Sequence, residues 1–212
     1  MPTYLILKLK GAMQSWGSHS YEDYRPTENI PTRSGLVGLL GACLGIDRKD
    51  LGKQKELSDS FLFAVRADKK EVVSRKIVDF HTVEGVLKVD GTINPYPVIT
   101  KREYLVDAEF TVAMEFLLNG NGQYNLNTVK QALSKPVFTP VLGRRSCPIT
   151  RPLFQAEIVA NSLPEALSMV EPREGIIYSE IGDELDKEIV IRDSPLFNGK
   201  RHFYPRKVYL KK

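Results

Sequence analysis

Apolar and polar residues alternate along the first segment of the chain, Tyr4–Lys10, with leucines on one side and Lys8 and Lys10 on the other. A period of two residues predicts a β-strand, here with one side that is wet or faces a partner. Later apolar runs bounded by turn signals predict three more strands, at Phe61–Asp68, Lys101–Phe116 and Leu153–Ala160. These segments predict one antiparallel sheet.

The longest apolar run, Pro31–Ile46, predicts a helix that begins after Thr32, whose hydroxyl can cap the first turn. Four glycines share about a third of its circumference: Gly35, Gly38, Gly41 and Gly45. Each costs about 1 kcal/mol relative to alanine inside a helix, so we expect another backbone, of protein or ligand, to approach this face. Arg33 and Ser34 add donors at the positive end, which predicts an anion site; a packed core helix with an ordinary cap is the alternative.

A second helix is predicted at Leu126–Leu133, and Pro136 ends it. The order strand, helix, strand, strand, helix, strand predicts an α+β fold of the ferredoxin-like (RRM-like) βαββαβ type, with both helices on one face of the sheet. We expect residues 1–160 to form this palm and residues 161–212 to form a small β-rich C-terminal extension packed on it. The short strands of the extension either extend the sheet or form a small second lobe.

Three segments lie outside the predicted βαββαβ elements. Gly11–Pro31 is a long irregular loop, Asp47–Ser58 is a charged connector, and Val72–Thr100 contains the hairpin signal Asp90-Gly91. Because Val72–Thr100 has mixed charge and no continuous apolar face, we expect a hairpin-like arm, at about residues 72–100, that projects from the domain.

Charge and cysteine usage narrow the class of protein. The 212 residues carry a formal net charge of +4, and two stretches, Lys135–Arg151 and Lys200–Lys212, contain basic residues but no acid. An anionic partner is therefore permitted. Two cysteines and three scattered histidines give no zinc spacing, so we expect no metal, no cofactor and a reduced, cytoplasmic protein. No apolar run is long enough to span a membrane.

Two loops carry the candidate binding residues. The first, Gly11–Pro31, holds Gln14, Arg25 and the single tryptophan, Trp16, which either closes one end of the core or stacks on a base. The second, Gly143–Ser146, contains Arg144 and Arg145, whose fork-shaped donors suit phosphate; a solvated turn is the alternative. In a ferredoxin-like fold this second loop can approach the first.

Catalytic signals are weaker. His81 could act as a general base for RNA cleavage, assisted by Tyr21, Tyr24 or Lys101, although a lone histidine is more often structural. The predicted third palm strand lacks the aromatic signature of simple RNA-recognition modules, so any RNA binds elsewhere.

Several motifs, in order through most of the chain, resemble the CasD family of CRISPR-associated proteins. They are Tyr4-Leu-Ile-Leu-Lys-Leu9, Met13-Gln-Ser-Trp-Gly17, Arg25-Pro-Thr27, Pro31–Gly45, Phe80-His-Thr-Val83, Arg102-Glu-Tyr-Leu105, Leu142-Gly-Arg-Arg-Ser-Cys-Pro148 and Pro152-Leu-Phe154. The C-terminal segment resembles the family less clearly.

The resemblance implies a non-catalytic subunit of the type I-E Cascade complex that holds the 5′ handle of the guide RNA (crRNA). It also implies a β-hairpin thumb on the palm, and neighbours of the CasC type (backbone) and CasA type (large subunit). The RNA-binding residues would be Gln14, Trp16, Arg25, Thr32, Arg33, Ser34, Arg102, Gly143, Arg144, Arg145 and Ser146. The alternative is a metal-independent endoribonuclease that uses His81, Tyr24 and Lys101, as a counterpart in a related subtype does.

Overall fold

The structure, a computed structural model, describes residues 1–18, 20, 23–68, 75–117, 122–182, 186–198 and 202–211. In this part of the chain the helices are α1 (Arg33–Leu44), α2 (Leu51–Asp59), α3 (Leu126–Ser134) and α4 (Leu163–Ser168). The strands are β1 (Thr3–Lys10), β2 (Met13–Gln14), β3 (Trp16–Gly17), β4 (Tyr24–Arg25), β5 (Thr27–Glu28), β6 (Phe61–Ala67), β7 (Lys76–Val83), β8 (Val98–Val106), β9 (Glu109–Phe116), β10 (Phe154–Val159), β11 (Ile176–Ser179), β12 (Lys187–Pro195) and β13 (Phe203–Lys211).

Seven of these strands form one antiparallel sheet in the order β10-β1-β9-β6-β11-β13-β12. The three strands of the C-terminal extension therefore continue the sheet, and they do not form a second lobe. β13 lies between β11 and β12, so the described part of the basic stretch Lys200–Lys212 is paired with a strand on each side. Lys200, Arg201 and Lys212 lie outside the described residues.

Helices cover both faces of the sheet. Leu5, Leu7 and Leu9 of β1 point into the large core, which also takes in the apolar sides of α1 and α3. Tyr4 and Ile6, on the other face of β1, pack in a second core that includes α4. Both faces of β1 are buried for this reason.

The prediction that the Lys8 and Lys10 side of β1 is wet or faces a partner is wrong for Lys8, whereas Lys10 is exposed. Lys8 is 3% exposed, and its Nζ lies 2.5 Å from Oδ2 of Asp68. Asp68 also binds Arg66 at 2.8 Å and the hydroxyl of Thr111. A buried charge needs such partners because desolvation otherwise destabilises it.

Helix α1 begins where the sequence predicts. The hydroxyl of Thr32 accepts from the backbone N–H of Gly35 at 3.2 Å, which confirms the predicted cap. A Cβ at Gly35 would lie 2.6 Å from a ring carbon of Trp16, whereas one at Gly38 would meet nothing within 4 Å. The close approaches to the glycine face are thus made by side chains: the Trp16 ring at Gly35, and Val137 at Gly45, where a Cβ would lie 2.9 Å from Cγ1 of Val137.

Two element predictions need correction. The predicted strand Lys101–Phe116 is interrupted at Asp107, whose φ is +52°; β8 ends before it and pairs with β7, while β9 enters the large sheet. The second arm of the projecting hairpin is therefore Val98–Val106. The charged connector contains α2, which Asp50 caps by accepting from the N–H of Lys53 at 3.1 Å. Val72 and Val73, predicted to begin the first arm, lie outside the described residues.

Candidate nucleic-acid interface

Two arginines from distant parts of the chain meet in a small second sheet, in which β8 pairs with β2, β4 and β7. β4 runs parallel to β8 and sets Arg25 directly beside Arg102. Residues that are partners across neighbouring strands point to the same face of a sheet. Arg25 and Arg102 therefore share one face of the second sheet.

Arg144 joins this pair from the loop after α3. Its Nη2 donates to the carbonyl of Arg25 at 2.7 Å, and its Nη1 donates to the carbonyl of Glu103 at 2.9 Å. The guanidinium lies 4.9 Å from the ring centroid of Tyr104, which adds a cation–π contact. These bonds use two of the five guanidinium donors. The side chain is fixed in place and keeps donors for a ligand.

The loop that carries Arg144 is tightly built. Leu142 donates to the carbonyl of Cys147 at 2.9 Å, and Cys147 donates to the carbonyl of Arg144 at 2.8 Å. The N–H of Ser15 donates to the carbonyl of Leu142 at 3.1 Å and so attaches the loop to the first segment. A Cβ at Gly143, whose φ is +88°, would lie 1.7 Å from the carbonyl oxygen of Ser15. Only glycine fits there without displacing backbone.

The outer residues of the same loop face solvent. Arg145 and Ser146 are exposed, and the hydroxyl of Ser146 lies 3.2 Å from that of Tyr104. The structure therefore brings together four of the residues expected to bind RNA: Arg25, Arg102, Arg144 and Ser146. We call these residues the arginine face.

Burial removes two expected residues from direct contact with a ligand. Gln14 and Trp16 are both 0% exposed. The side-chain amide of Gln14 donates to the carbonyls of Ala108 and Leu9 at 2.7 and 3.2 Å and accepts from Trp16 Nε1 at 3.1 Å. Trp16 follows the alternative in which it closes one end of the core. Both residues hold the first loop in place beneath Gly143.

Arg33 is also engaged inside the protein. Its Nη1 lies 2.5 Å from Oε1 of Glu180, its Nη2 donates to the carbonyl of Phe61 at 3.0 Å, and its guanidinium stacks near two phenylalanine rings. Only 11% of the side chain is exposed. We therefore expect no phosphate contact from Arg33.

The predicted anion site at the start of α1 is filled by the chain itself. Oδ2 of Asp193, from β12, accepts from the backbone N–H of Arg33 at 2.8 Å, and both carboxylate oxygens accept from Arg206, at 2.6 and 2.8 Å. Asp193 is 1% exposed and Thr32 is 0% exposed. The hydroxyl of Ser34 lies 3.4 Å from that of Thr32. The helix end thus stabilises an internal carboxylate, which overturns the expected phosphate site at Thr32, Arg33 and Ser34.

The three residues of the catalytic alternative do not converge. In the second sheet Lys101 is the partner of both Tyr24 and Phe80, whereas His81 is the partner of Thr100. Because side chains alternate along a strand, His81 points to the opposite face from Lys101 and Tyr24. The Tyr24 hydroxyl donates to Glu103, and this hydrogen bond raises the pKa of Tyr24. The hydroxyl of Tyr24 is therefore engaged with Glu103, and Tyr21 lies outside the described residues.

Glu103 organises the base of the hairpin. Its carboxylate accepts from the Tyr24 hydroxyl and from the N–H of Thr27 at 3.0 Å, and Lys76 lies 3.4 Å away. Burial alone would raise the pKa of Glu103, but the hydrogen bonds and the lysine charge lower it on balance. The carboxylate therefore ties β4, β5 and β7 to β8 and fixes the backbone beneath Arg25 and Arg102.

Sequence reasoning missed Tyr104 and Glu103 as supports of the arginine face. Both lie in the motif Arg102-Glu-Tyr-Leu105, which was noted only for the resemblance. Alternation along β8 was the available signal, since it sets Glu103 and Tyr104 on opposite faces. Within the described residues, no group of three or more histidine, cysteine or acidic side chains is placed to hold a metal. No helix in the same residues is long and apolar enough to cross a membrane.

Comparison with known proteins identifies the class to which this fold and site belong. The family model described as CRISPR-associated protein (Cas_Cas5) matches residues 4–209. The CasD subunit of the CRISPR system Cascade from Escherichia coli K12 is 43% identical over 219 aligned positions, covering 99% of this chain and 96% of that protein. The chain belongs to the Cas5 family of CRISPR-associated proteins.

Solved structures agree. A chain of a CRISPR RNA-guided surveillance complex superposes with a TM-score of 0.75 at 31% identity, covering 98% of this chain and 89% of that one. A crystal structure of a Cas protein superposes with a TM-score of 0.66 at 30% identity, covering 98% and 93%. The mixed α/β architecture is that of the Cas5 proteins.

Proposed function

We propose that this protein is a non-catalytic Cascade subunit that binds the 5′ handle of a guide RNA through its arginine face. The observation that supports this proposal most directly is the position of Arg144. Its guanidinium donates to a backbone carbonyl of β4, that of Arg25, and to a backbone carbonyl of β8, that of Glu103. This bridge holds three guanidinium groups on one surface. Arginine donors on a preformed surface suit RNA phosphates.

We also assign the palm to the ferredoxin-like class, on the strand order of the large sheet. β9 lies between β1 and β6, which α1 connects, and β1 lies between β9 and β10, which α3 connects. Two such interleaved units are the hallmark of that fold. α4 covers the opposite face, so the helices are not confined to one side.

The hairpin of β7 and β8 is proposed to act as the thumb, against a CasC-type backbone subunit, with a CasA-type large subunit also adjoining the protein. Large apolar side chains on the hairpin stay exposed in this chain, among them Val78 (55%), Phe80 (62%) and Tyr96 (74%). Such exposure is typical of a surface that a partner covers. We propose a cytoplasmic location, since both cysteines are free thiols.

The test is binding of labelled CRISPR repeat RNA to the full chain across a salt series. Arg102→Ala is the most informative variant, because its described side-chain contact is one hydrogen bond to Thr100 at 3.1 Å. Removing one phosphate contact should weaken binding and reduce the slope of log K against log salt by about 0.7 for single-stranded RNA. Arg192→Ala is the matched control, since Arg192 is exposed on the edge strand β12.

Equal salt slopes for the wild type and Arg102→Ala would remove the arginine face from the proposal. A denaturing gel of the same RNA, run with and without chelator, tests the catalytic alternative. We expect intact RNA. Chelator-resistant cleavage that His81→Ala abolishes would instead make the protein a ribonuclease.

A further inference from the structure

A pocket lies on the face of the large sheet that α4 covers, between the start of that helix and the ends of β1 and β9. Its volume is about 240 Å³, which suits a ligand smaller than a drug-sized molecule. Its apolar lining includes Leu163 and Ile181, and its polar lining includes Tyr4, Glu115 and Lys211. None of the residues of the arginine face lines this pocket.

The hydroxyl of Tyr4 is the feature that points to a ligand. Tyr4 is 2% exposed, and none of the described residues forms a hydrogen bond with its hydroxyl. In this part of the chain the hydroxyl of Tyr124 is the one fully enclosed side-chain polar atom without a partner, so that of Tyr4 is not enclosed and opens into the pocket. Buried polar groups are nearly always hydrogen-bonded. A molecule from outside the chain is therefore needed to complete this one.

Glu115 lies beside Tyr4 on the neighbouring strand. Leu5 of β1 pairs with Met114 of β9, and the next residues outward along the two antiparallel strands are Tyr4 and Glu115, which are thus neighbours across the sheet. Glu115 is half-buried, and its carboxylate has no ion pair or hydrogen bond with the described residues. A carboxylate that is partly removed from water in this way favours a cation close to it.

The charges around the pocket have the same sign. Burial raises the pKa of Tyr4, and the negative charges of Glu115 and Glu165 raise it further, so both carboxylates act on the hydroxyl. Lys211 brings a positive charge to the lining, but its Nζ lies 3.3 Å from Oδ2 of Asp186, which offsets that charge. The pocket therefore repels an anion and attracts a cation.

We propose that this pocket binds a primary alkylammonium ion, the group that ends small diamines and lysine side chains. An ammonium group has three donors and no acceptor, which matches the Glu115 carboxylate and the oxygen of the Tyr4 hydroxyl. The short alkyl chain then packs on Leu163 and Ile181. Pro2 and Asn161 also line the pocket and are exposed, so a ligand can enter from solvent.

The test is isothermal titration calorimetry of the full chain with three probes. Putrescine stands for a free diamine, Nα-acetyl-lysine methylamide stands for a lysine side chain, and butanediol is the uncharged control of the same length as putrescine. We expect at least one of the two amines to bind with a Kd of about 1 mM or below, and we expect no binding of butanediol.

Two variants that keep the shape of the side chain test the assigned contacts. Glu115→Gln should weaken binding of the amine by about tenfold or more, because a hydrogen bond to a charged group is lost. Tyr4→Phe should weaken it by about fivefold, as expected for a neutral hydrogen bond. The matched controls are Glu84→Gln, at an exposed site next to β7, and Tyr124→Phe, which also removes an unpartnered hydroxyl but does not line the pocket. Both controls should bind like the wild type.

Three results would overturn the proposal. If neither amine binds the wild type at about 10 mM, the pocket holds only water. If butanediol binds as well as putrescine, the pocket does not recognise the charge. If Glu115→Gln and Tyr4→Phe have the wild-type circular dichroism spectrum and bind the amine unchanged, the amine binds elsewhere. A preference for putrescine or for the lysine derivative supports the proposal in either case and identifies the source of the ammonium group.

Discussion

Replacing Gly143 by alanine tests whether one backbone contact holds the arginine face together. The added Cβ would lie 1.7 Å from the carbonyl oxygen of Ser15, where ordinary contacts begin at 3.4 Å. The obstacle is backbone on both sides, so no side chain can rotate away. The loop must move, and its hydrogen bonds to the first segment and the second sheet must lengthen or break.

The expected cost follows from those contacts. An alanine at φ +88° is strained by about 1 kcal/mol relative to glycine. Moving the loop removes the bond from Ser15 to Leu142 and the two bonds from Arg144, each contributing about 1 kcal/mol. We expect a total loss of about 4 kcal/mol in the free energy of unfolding, which is a large share of the stability of most domains.

The assay is urea unfolding followed by far-UV circular dichroism, together with RNA affinity and the fluorescence of Trp16. That residue is the single tryptophan, and its backbone nitrogen lies 3.6 Å from the added Cβ. Gly91→Ala is the matched control, because Gly91 has φ +81° and open space around its Cβ position. The control should lose about 1 kcal/mol and leave the tryptophan emission unchanged.

Comparing the two variants separates the backbone strain of alanine at a positive φ, which both share, from the steric contact with Ser15, which only Gly143→Ala makes. If Gly143→Ala is as mild as Gly91→Ala and binds RNA normally, the loop is not held by Ser15 and the reasoning is refuted. If Gly143→Ala remains folded but shifts Trp16 emission and weakens RNA binding, the contact positions Arg144 as described.

Three further predictions concern buried groups. Asp193→Ala should lower the free energy of unfolding by about 1–3 kcal/mol, because the N–H of Arg33 and two donors of Arg206 lose a buried acceptor while Arg206 keeps Glu180 at 3.3 Å; a loss below about 1 kcal/mol in urea unfolding would mean that the pair acts as an exposed one. The pKa of Glu103 is lowered from 4.5 in the folded state, so its contribution is complete above that pH and is lost as the pH falls through the lowered value; Glu103→Gln should flatten the acid limb of a pH–stability curve, and an unchanged limb would contradict this. Burial raises the pKa of Cys43 to about 11 and raises that of Cys147, so iodoacetamide at about pH 8 should modify neither thiol before unfolding; rapid modification of the native protein would show that a thiol is accessible.

Local patterns predicted the elements whose cause is local. The start of α1 was predictable because the hydroxyl of Thr32 bonds an amide only three residues away. The alternation in β1 predicted a strand but not its burial, since the partner of Lys8 is Asp68, sixty residues later. Sequence spacing cannot reveal which carboxylate will cover a lysine, because the covering is decided by strand order.

The same contrast between local and distant causes applies to the candidate site. The arginines of the Gly143 loop could be proposed from their composition, because basic residues without nearby acids indicate an anionic partner. The wrong assignment at Arg33 arose because Asp193, 160 residues away, reaches the start of α1. A helix end that attracts phosphate also attracts a carboxylate of the same chain, and only the fold determines which of the two arrives.

What distinguishes the arginines is the charge of their partners. Arg33 and Arg66 are matched by carboxylates inside the protein, so their positive charge is neutralised where it stands. Arg144 is fixed by two carbonyl oxygens and an aromatic ring, which hold its geometry without cancelling its charge. An arginine held in this way attracts an anion at little further cost in side-chain entropy. That difference, rather than the number of basic residues, is the physical reason to direct the RNA to Arg144 and the surface around it.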